Sequence, residues 1–342
     1  MIFVTGGTGL VGAHLLFELT SAGSRVKALK RETSNLQQVL KTFSYYSETP
    51  KELFNLIEWV DGDILDYFSL EKMLAGVTEI YHCAAIVSFD PKERKRMIAN
   101  NVEGTANLVN AAIENGVKKI CHVSSVAALG KLDEQHLITE ETNWVPAKKI
   151  PGYSESKFFS ETEVWRGIEE GLEAVIVNPS IILGPANWDT GSAKMFKTMW
   201  DGMKFFTCGI TGFVDVRDVV KAMILLMDDQ HFEKAKNQRF LLSGENLSFE
   251  TVFCQIAGAL GKSSPKYNAS GAMMQLVWRI LWFASLITGK SPLVTRETAV
   301  NSNLKRYYDG SKIKSYFDFE YLPISVSIKQ TAAFLKKEMQ KS

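Results

Sequence analysis

A tyrosine and a lysine four residues apart could carry out acid–base chemistry in this chain. Tyr153 and Lys157 are the ends of the segment Tyr-Ser-Glu-Ser-Lys, and residues at this spacing on a helix share one face. A free tyrosine has a pKa of about 10, so it exchanges its proton poorly at neutral pH. A nearby ammonium stabilises the phenolate and lowers that pKa. We therefore predict Tyr153 as a general acid or base and Lys157 as the residue that tunes it.

Two serines follow a predicted strand and could act beside this pair. Ser124 and Ser125 come directly after Lys119–Val123, which reads as a short buried strand. In a parallel sheet the carboxyl ends of the strands face the ligand crevice. A serine hydroxyl there can hydrogen-bond a substrate carbonyl or hydroxyl next to Tyr153. The alternative is that both serines only cap or turn the chain.

The first strand leads into a glycine-rich turn that could hold a phosphate group. Ile2–Thr5 is the strand, and Leu10–Ala22 is the helix that follows. The first glycine of the turn permits a sharp bend, the second lets backbone N–H groups approach a pyrophosphate, and the third lets helix and strand pack closely. A purely structural turn is the alternative. The predicted contacts to a dinucleotide are Gly6, Thr8, Gly9, Leu10, Val11 and Gly12.

The tyrosine–lysine pair fits a nicotinamide dinucleotide. The positive ring of the oxidised cofactor also favours a phenolate, and the lysine could hydrogen-bond the nicotinamide ribose. The strand Val26–Leu29 ends in Lys30 and Arg31, where NAD-specific sites usually carry an acidic residue. Two cations suit a 2′-phosphate, so NADP(H) is favoured and NAD is the alternative. After the third strand, Asp63 and Ile64 could hold the adenine, with a plain turn as the alternative.

Alternating strand and helix patterns must position these residues. Strands are predicted at Ile2–Thr5, Val26–Leu29, Ile57–Val60, Glu79–Cys83, Lys119–Val123, Ala174–Val177 and Arg239–Ser243. Helices are predicted at Leu10–Ala22, Ser34–Tyr46, Asp66–Leu74, Ser154–Glu170 and Ile324–Lys337, with another ending near Gly116. This alternation implies crossover connections, a parallel sheet and helices on both of its faces. The predicted fold class is α/β, a doubly wound parallel sheet of the Rossmann type.

A smaller, mainly helical lobe is predicted from a change of pattern after the sixth strand. Residues 1–178 form the predicted dinucleotide-binding Rossmann domain, and 213–244 and 323–342 return to it. Residues 179–212 and 245–322 form the predicted substrate-binding lobe. The first of these lobe segments is rich in Gly, Trp, Met and Phe.

The composition excludes several classes of partner. Hydrophobic residues make up 46% of the 342 residues, and the net charge is +1 with the basic residues spread out, which argues against a nucleic-acid-binding face. Four distant cysteines without a C-x-x-C pair argue against a disulfide framework and favour a reducing, cytoplasmic location. The apolar segment 273–288 falls short of the about 20 residues that span a membrane, so a buried helix is favoured over interfacial contact.

The expected partner is a small-molecule substrate, and a homodimer is compatible with the sequence. No metal is expected. His82 and His122 lie on predicted buried strands, and neither has a second ligand at metal-binding spacing.

Several segments, in this order, resemble the extended short-chain dehydrogenase/reductase family. They are Thr5–Gly9, His82–Ala85, Asn101–Thr105, Ser124–Ser125, Tyr153–Lys157, Asn178–Ser180, Gly184–Pro185 and Phe213–Asp218. The resemblance covers almost the whole chain and is nearest to the dihydroflavonol-reductase-like and 3β-hydroxysteroid-dehydrogenase-like branches. These motifs are specific for the superfamily, but they do not identify a substrate.

The resemblance implies a role for single residues. Ser125 matches the family's catalytic serine, and Ser124 would line the nicotinamide site. Asn101 matches a helix asparagine that supports the proton relay. Contacts to the cofactor are implied for Ala84 and Ala85 along its phosphate–ribose portion, for Pro179 near the carboxamide, and for Arg31 at the 2′-phosphate.

One departure from the family pattern concerns the substrate. Sugar-nucleotide epimerases and dehydratases of this family often carry Arg-Asp where this chain has Thr211 and Gly212. An arginine binds a diphosphate bidentately, so its absence argues against a nucleotide sugar. The lobe instead offers apolar side chains that fit an apolar or aromatic substrate, unless they are core residues. They are Met195, Phe196, Met199, Trp200, Met203, Phe205, Phe206, Met273, Met274, Trp278 and Trp282.

Three functions compete at this point. The favoured one is an NADP(H)-dependent oxidoreductase that reduces a carbonyl, or oxidises a secondary alcohol, of a largely apolar or aromatic small molecule. The second is a sugar-nucleotide epimerase or dehydratase with tightly bound NAD. The third is a non-catalytic dinucleotide-binding regulator, in which the acid–base residues would have no purpose.

Overall fold

A seven-stranded parallel sheet lies at the centre of the fold. The computed structural model describes residues 1–130, 137–145, 150–288, 299 and 302–340, with the backbone alone for 272 and 282–288. Its strands, in chain order, are β1 (Ile2–Thr5), β2 (Val26–Lys30), β3 (Ile57–Asp61), β4 (Glu79–His82), β5 (Lys119–Val123), β6 (Leu137–Ile138), β7 (Ala174–Pro179), β8 (Ile181–Leu183), β9 (Phe205–Phe206), β10 (Ile210–Asp215), β11 (Gln238–Leu242), β12 (Glu245–Ser248), β13 (Tyr267–Asn268) and β14 (Tyr307–Tyr308).

Helices connect these strands and cover the sheet. They are α1 (Leu10–Ser21), α2 (Leu36–Phe43), α3 (Pro50–Phe54), α4 (Tyr67–Met73), α5 (Arg94–Glu114), α6 (Gly152–Glu169), α7 (Ala193–Trp200), α8 (Val216–Met227), α9 (Asp229–Ala235), α10 (Phe249–Leu260), α11 (Gly271–Thr288), α12 (Lys312–Tyr316) and α13 (Ile324–Met339). The predicted helix Ser34–Tyr46 is shorter in the structure, because Asn35 caps α2 by accepting a hydrogen bond from the Gln38 N–H. Pro50 opens the separate short helix α3.

The order of the strands creates a crevice at the carboxyl edge of the central sheet. The order is β11-β7-β5-β4-β1-β2-β3, and each neighbouring pair is parallel. The chain winds outward from β1 in one direction through β2 and β3, and in the other through β4 and β5. The doubly wound prediction is therefore confirmed, with the switch point between β1 and β4, where such sheets bind ligands.

Both faces of the central sheet are buried. Phe3 and Ile80 point into one hydrophobic core, which α4, α5 and α6 cover. Val4 and Tyr81, the next residues along the same two strands, point into the opposite core under α1 and α8. Because successive side chains of a strand alternate between its faces, burial of both explains the continuous apolar runs of these strands.

The predicted substrate-binding lobe has a hydrophobic core of its own. Phe196 and Met199 of α7, Phe213 of β10 and Val252 of α10 are fully buried there. In addition, β10 lies between β8 and β12 in a separate three-stranded sheet. β10 contributes to both cores, because Phe213 lies in the lobe core and Val214 in the main core under α1 and α8. The domain boundary at residue 213 stays a prediction.

The C-terminal helix, for which 323–342 is predicted to return to the Rossmann domain, packs one face into the lobe core. One face of α13 is buried in the lobe core together with Phe196. The buried residues of this face are Ile324, Ile328, Ala332 and Leu335. An amphipathic pattern shows that one face of a helix is buried, but not which element covers it. Residues 341–342 lie outside the described part of the chain.

Candidate active site

The glycine turn has the geometry of an anion-binding loop. Gly6 has φ +69°, and a Cβ on it would lie 2.5 Å from the Ala84 nitrogen. A Cβ on Gly12 would lie 2.2 Å from the Gly6 carbonyl oxygen, so side chains are excluded at both positions. Gly9 caps α1 without a side chain, which leaves the first N–H groups of the helix, from Leu10 to Gly12, available to a phosphate.

The end of β4 supports this turn from one side. The Thr5 hydroxyl hydrogen-bonds His82 Nδ1 at 2.7 Å and accepts a hydrogen bond from the Ala84 N–H at 3.3 Å. The Cys83 N–H donates to the Thr5 carbonyl oxygen at 3.1 Å. Ala84 and Ala85 therefore begin a loop directly beside the glycine turn, as a role along the phosphate–ribose portion of the cofactor requires.

The two cations at the end of β2 have different surroundings. Lys30 forms an ion pair with Asp61 at the end of the neighbouring strand β3. Arg31 is exposed, and its backbone N–H donates to the Ser34 hydroxyl at 3.0 Å. Of the two residues predicted to hold a 2′-phosphate, Lys30 has its charge paired with a carboxylate. Among the described residues, no carboxylate forms an ion pair with Arg31.

Asp63 and Ile64 form the turn after β3. The Asp63 carboxylate accepts a hydrogen bond from the Leu65 N–H at 3.0 Å, so it stabilises this turn. Ile64 is buried, and a Cβ on Gly104 would lie 2.4 Å from its terminal methyl group. Contact of either residue with an adenine stays a prediction.

Ser125 and Tyr153 meet at the crevice. Ser125 follows β5 by two residues and is 8% exposed, and its hydroxyl accepts a hydrogen bond from the Ala127 N–H at 3.1 Å. α6 begins at Gly152, two residues before the predicted start, so Tyr153 lies in its first turn. The Ser125 side chain lowers the pKa of the Tyr153 hydroxyl, but burial has the larger effect and raises this pKa above its ordinary value.

Lys157 lies one helical turn after Tyr153 and is 5% exposed. Its ammonium donates a hydrogen bond to the Val123 carbonyl oxygen at the end of β5, at 2.9 Å. Burial lowers the pKa of Lys157 to about 8, while Cys83 and Glu161 act in the opposite direction. The pKa of Tyr153 is raised by burial and not lowered as the pairing with Lys157 predicts.

Asn101 connects two elements of the site. Its side-chain oxygen accepts from the Ile86 N–H at 2.7 Å, and its amide group donates to the Ile86 carbonyl oxygen at 2.9 Å and to the Ser156 hydroxyl at 3.2 Å. The loop after β4 is thereby held against α6. The structure gives Asn101 this positioning role, and its part in a proton relay stays a prediction.

Sequence reasoning missed Phe89 and Glu161. The Phe89 ring lies 5.6 Å from the Tyr153 ring in an edge-to-face arrangement, although Phe89 is 41% exposed. Glu161 is 3% exposed and accepts a hydrogen bond from the Ser124 hydroxyl at 2.5 Å. Ser124, predicted to line the nicotinamide site, thus directs its hydroxyl to Glu161. The sequence feature that could have identified Glu161 is its position one helical turn after Lys157.

The remaining predicted residues lie around this centre. Pro179 ends β7 and is buried. His82 hydrogen-bonds Thr5 and Thr105, and its ring is 5.0 Å from that of His122. Burial lowers the pKa of His82 to about 3 and that of His122 well below its ordinary value, so both are neutral. In the described ranges no group of three His, Cys, Asp or Glu side chains could hold a metal ion.

The apolar segment 273–288 lies in helix α11. Leu276 and Ile280 on this helix are 60% and 58% exposed. Of the helices that the structure describes, none is long and apolar enough to cross a membrane.

Comparison with known proteins agrees with this arrangement. The model of the NAD dependent epimerase/dehydratase family matches residues 2–240. A putative dihydroflavonol 4-reductase from Synechocystis sp. is 32% identical over 321 residues, which cover 91% of this chain and 87% of that protein. Sterol demethylase protein B from Methylococcus capsulatus is 30% identical over 276 residues, 80% of this chain and 78% of that protein.

A solved structure extends the similarity over the whole fold. The crystal structure of gox2253 aligns with a TM-score of 0.80 at 28% identity, and the alignment covers 99% of this chain and 98% of that one. The family match, the sequence identity to the relatives and the glycine turn at the start of α1 all indicate the same family. The chain belongs to the NAD dependent epimerase/dehydratase family, within the extended short-chain dehydrogenase/reductase superfamily.

Proposed function

We propose that this chain is an oxidoreductase that uses NADP(H) to reduce a carbonyl group, or to oxidise the corresponding secondary alcohol, on a largely apolar or aromatic small molecule. The observation that carries this proposal is the grouping of Tyr153, Ser125 and Lys157, in which the Ser125 side chain acts on the Tyr153 hydroxyl and the buried Lys157 lies one turn further along α6. Ser125 follows β5, and Tyr153 and Lys157 lie on α6. The glycine turn follows β1 at the same carboxyl edge of the central sheet.

The proposed mechanism gives each residue one task. When bound, the cofactor supplies the hydride for the carbonyl carbon. Ser125 hydrogen-bonds the carbonyl oxygen, and Tyr153 donates its proton to that oxygen as negative charge develops on it. The Lys157 ammonium stabilises the phenolate that remains. Proton transfer from a positioned side chain contributes about 10²–10⁴-fold to the rate of such reactions.

The preference for NADP(H) rests on Arg31. A guanidinium binds a phosphate through parallel hydrogen bonds, and Arg31 is exposed at the carboxyl end of β2. In NAD-specific sites a carboxylate near this position accepts the ribose hydroxyls, whereas this chain has Lys30 and Arg31 there. The other cation, Lys30, forms an ion pair with Asp61, so its charge is already paired.

An apolar substrate is supported by the surroundings of Tyr153 and by the lobe. The Phe89 ring lies against Tyr153. Phe196 and Met199 are fully buried in the lobe core, so these two are structural. The half-buried candidates are Met195, Trp200, Met203, Phe206, Met273, Met274 and Trp278. Phe205 is 50% exposed, and the side chain of Trp282 lies outside the described part of the chain.

The second candidate is internal redox chemistry on a nucleotide sugar with tightly held NAD. The description of the family includes epimerases and dehydratases. Against it, Thr211 stands where such enzymes of the family often carry the arginine that binds a diphosphate. A Cβ on Gly212, at the position of the following aspartate, would lie 2.3 Å from the Ser243 hydroxyl oxygen. Carbonyl reduction is therefore the better supported proposal.

The location is proposed from the cysteines. Cys83, Cys121, Cys208 and Cys254 are all free thiols. Free, partly or fully buried thiols suit a reducing compartment, so we place the enzyme in the cytoplasm.

The proposal is tested with the purified protein. Its content of bound NAD is measured, and NADPH oxidation is followed with a panel of aromatic and aliphatic aldehydes and ketones. We expect consumption of NADPH that depends on the carbonyl and is fastest with aromatic or polycyclic members. Stoichiometric bound NAD, turnover of a nucleotide sugar and no net use of NADPH would establish the second candidate instead.

A further inference from the structure

Glu161 is a buried carboxylate with four hydrogen-bond donors around it. One oxygen accepts from the Ser124 hydroxyl at 2.5 Å and from the Asn178 side-chain amide at 2.7 Å. The other accepts from the Trp165 indole N–H and from the Arg239 guanidinium, each at 3.2 Å. The residue is 3% exposed. A buried charge is costly unless it is paired and hydrogen-bonded, and here both conditions are met.

These contacts join the ends of two neighbouring strands below the catalytic residues. Ser124 follows β5, Asn178 lies in β7, and the Ser124 N–H donates to the Val177 carbonyl oxygen at 2.8 Å. The Asn178 amide also donates to the Ser125 carbonyl oxygen at 3.1 Å. Glu161 therefore fixes the position of Ser125 in two ways. It binds the hydroxyl of the preceding residue, Ser124, and it binds the Asn178 amide that contacts the Ser125 carbonyl oxygen.

Glu161 also contributes to the electrostatic surroundings of Lys157. Both residues belong to α6, one turn apart. Cys83 faces Lys157 from the end of β4, and the neutral His82 and His122 face it from β4 and β5. The Arg239 guanidinium on β11, 23% exposed in its side chain, offsets part of the negative charge of Glu161. Tyr153 belongs to the same helix, one turn before Lys157.

We infer that Glu161 is a positioning residue of the active site, which fixes Ser125 through Ser124 and Asn178 and places a buried negative charge one helical turn from the Lys157 ammonium. This inference rests on the proposed carbonyl reduction for its meaning in catalysis. The hydrogen bonds and the charge have separable effects, because glutamine retains an acceptor oxygen but carries no charge.

Glu161→Gln is compared with Glu163→Gln, two residues further on α6, where Glu163 pairs with Arg166 near the surface. Loss of the buried anion lowers the pKa values of its neighbours. The alkaline limb of the kcat/KM profile should therefore move to lower pH by about two units, the size expected for a unit charge about 6 Å away at an effective dielectric constant of about 20. Glu163→Gln should leave the limb in place. A lower rate with an unshifted profile would overturn the inference.

A second variant tests the charge with the opposite sign. Arg239→Gln leaves Glu161 with its three neutral donors and removes the cation that offsets it. The alkaline limb should then move to higher pH. If Glu161→Gln does not fold, this variant decides alone, and an unshifted profile of Arg239→Gln would overturn the inference.

A readout without turnover separates this inference from the proposed function. Acetylation of Lys157 by acetic anhydride is measured by mass spectrometry as a function of pH in the wild type and the three variants. Its midpoint should fall in Glu161→Gln, rise in Arg239→Gln and stay unchanged in Glu163→Gln. If no carbonyl consumes NADPH but these midpoints shift, the proposed reaction fails and the electrostatic role stands. Equal midpoints in all four proteins would overturn that role even with full activity.

Discussion

At the scale of single residues, Lys157 keeps an ammonium in a buried position. It is 5% exposed, and burial lowers its pKa from the ordinary value of 10.5 to about 8. Between these two values the unfolded chain binds more protons than the folded chain. The contribution of this residue to stability is therefore unfavourable below about pH 8 and improves as the pH rises towards 10.5. Such a cost suggests that the charge is retained for function.

Replacing Lys157 by methionine should stabilise the protein and inactivate it. Loss of the buried charge gains about 3 kcal/mol at pH 7, and loss of the hydrogen bond to the Val123 carbonyl returns about 1 kcal/mol, so we expect a net gain of about 2 kcal/mol. The gain should disappear as the pH approaches 10. Carbonyl reduction should fall by about 10²-fold or more.

Denaturant unfolding at pH 7 and pH 10 measures this difference. Lys51→Met, at an exposed lysine of α3, is the matched control and should change neither stability nor activity. A Lys157→Met protein that unfolds more easily than the wild type at pH 7 would contradict the account of burial.

Arg31 should decide between the two cofactors. Substitution by serine removes the exposed guanidinium at the carboxyl end of β2, so the KM for NADPH should rise about tenfold or more, as for the loss of one charge-assisted contact to a phosphate. The KM for NADH should change little. Arg25→Ser removes an equally exposed arginine at the opposite end of the same strand and is the control. Equal effects of Arg31→Ser on both cofactors would contradict a role at the 2′-phosphate.

At the scale of elements, the β1–α1 turn depends on glycine for two reasons. Gly6 adopts a positive φ, and Gly12 packs against the Gly6 carbonyl group more closely than any side chain allows. The first turn of α1 thereby stays open towards the crevice, with backbone N–H groups that no side chain caps. The anion site is a property of this element and not of a single side chain.

Gly12→Ala should abolish NADPH binding and lower stability. The new methyl group would lie 2.2 Å from the Gly6 oxygen, so the turn and the helix must separate. Gly258→Ala in α10 is the control, because a Cβ there meets nothing within 4 Å. It should raise stability by about 0.5–1 kcal/mol, since alanine is the better helix former. Isothermal titration and thermal unfolding measure both effects, and retained NADPH affinity in Gly12→Ala would contradict the assignment.

Elements and site residues differ in how well the sequence predicts them. The glycine turn and the Tyr153–Lys157 pair are local patterns, so spacing along the chain was sufficient to find them. Glu161 could not be found in this way, because its partners Ser124, Asn178 and Arg239 lie on three different elements. The same reason explains the helix α13. Its amphipathic pattern predicted a buried face, but the covering residues are distant in sequence.

At the scale of the whole molecule, the lobe is tied to the sheet through the C-terminal helix. Phe334 of α13 packs its ring 4.7 Å from that of Tyr45, just after α2 of the Rossmann domain. The Trp188 indole N–H of the lobe donates to Glu338 of the same helix at 2.9 Å. α13 thus contacts both parts of the molecule.

The proposed mechanism depends on transfer of a proton from Tyr153 to the carbonyl oxygen of the substrate during its reduction. Tyr153→Phe retains the ring that packs against Phe89 and removes only the hydroxyl, whose pKa the Ser125 side chain lowers. The decisive measurement is kcat/KM for NADPH-dependent reduction of the best aromatic carbonyl, together with the dissociation constant of NADPH. We predict a fall in kcat/KM of about 10²-fold or more with unchanged NADPH affinity, while the control Tyr67→Phe behaves as the wild type. Turnover by Tyr153→Phe at the wild-type rate would contradict the account.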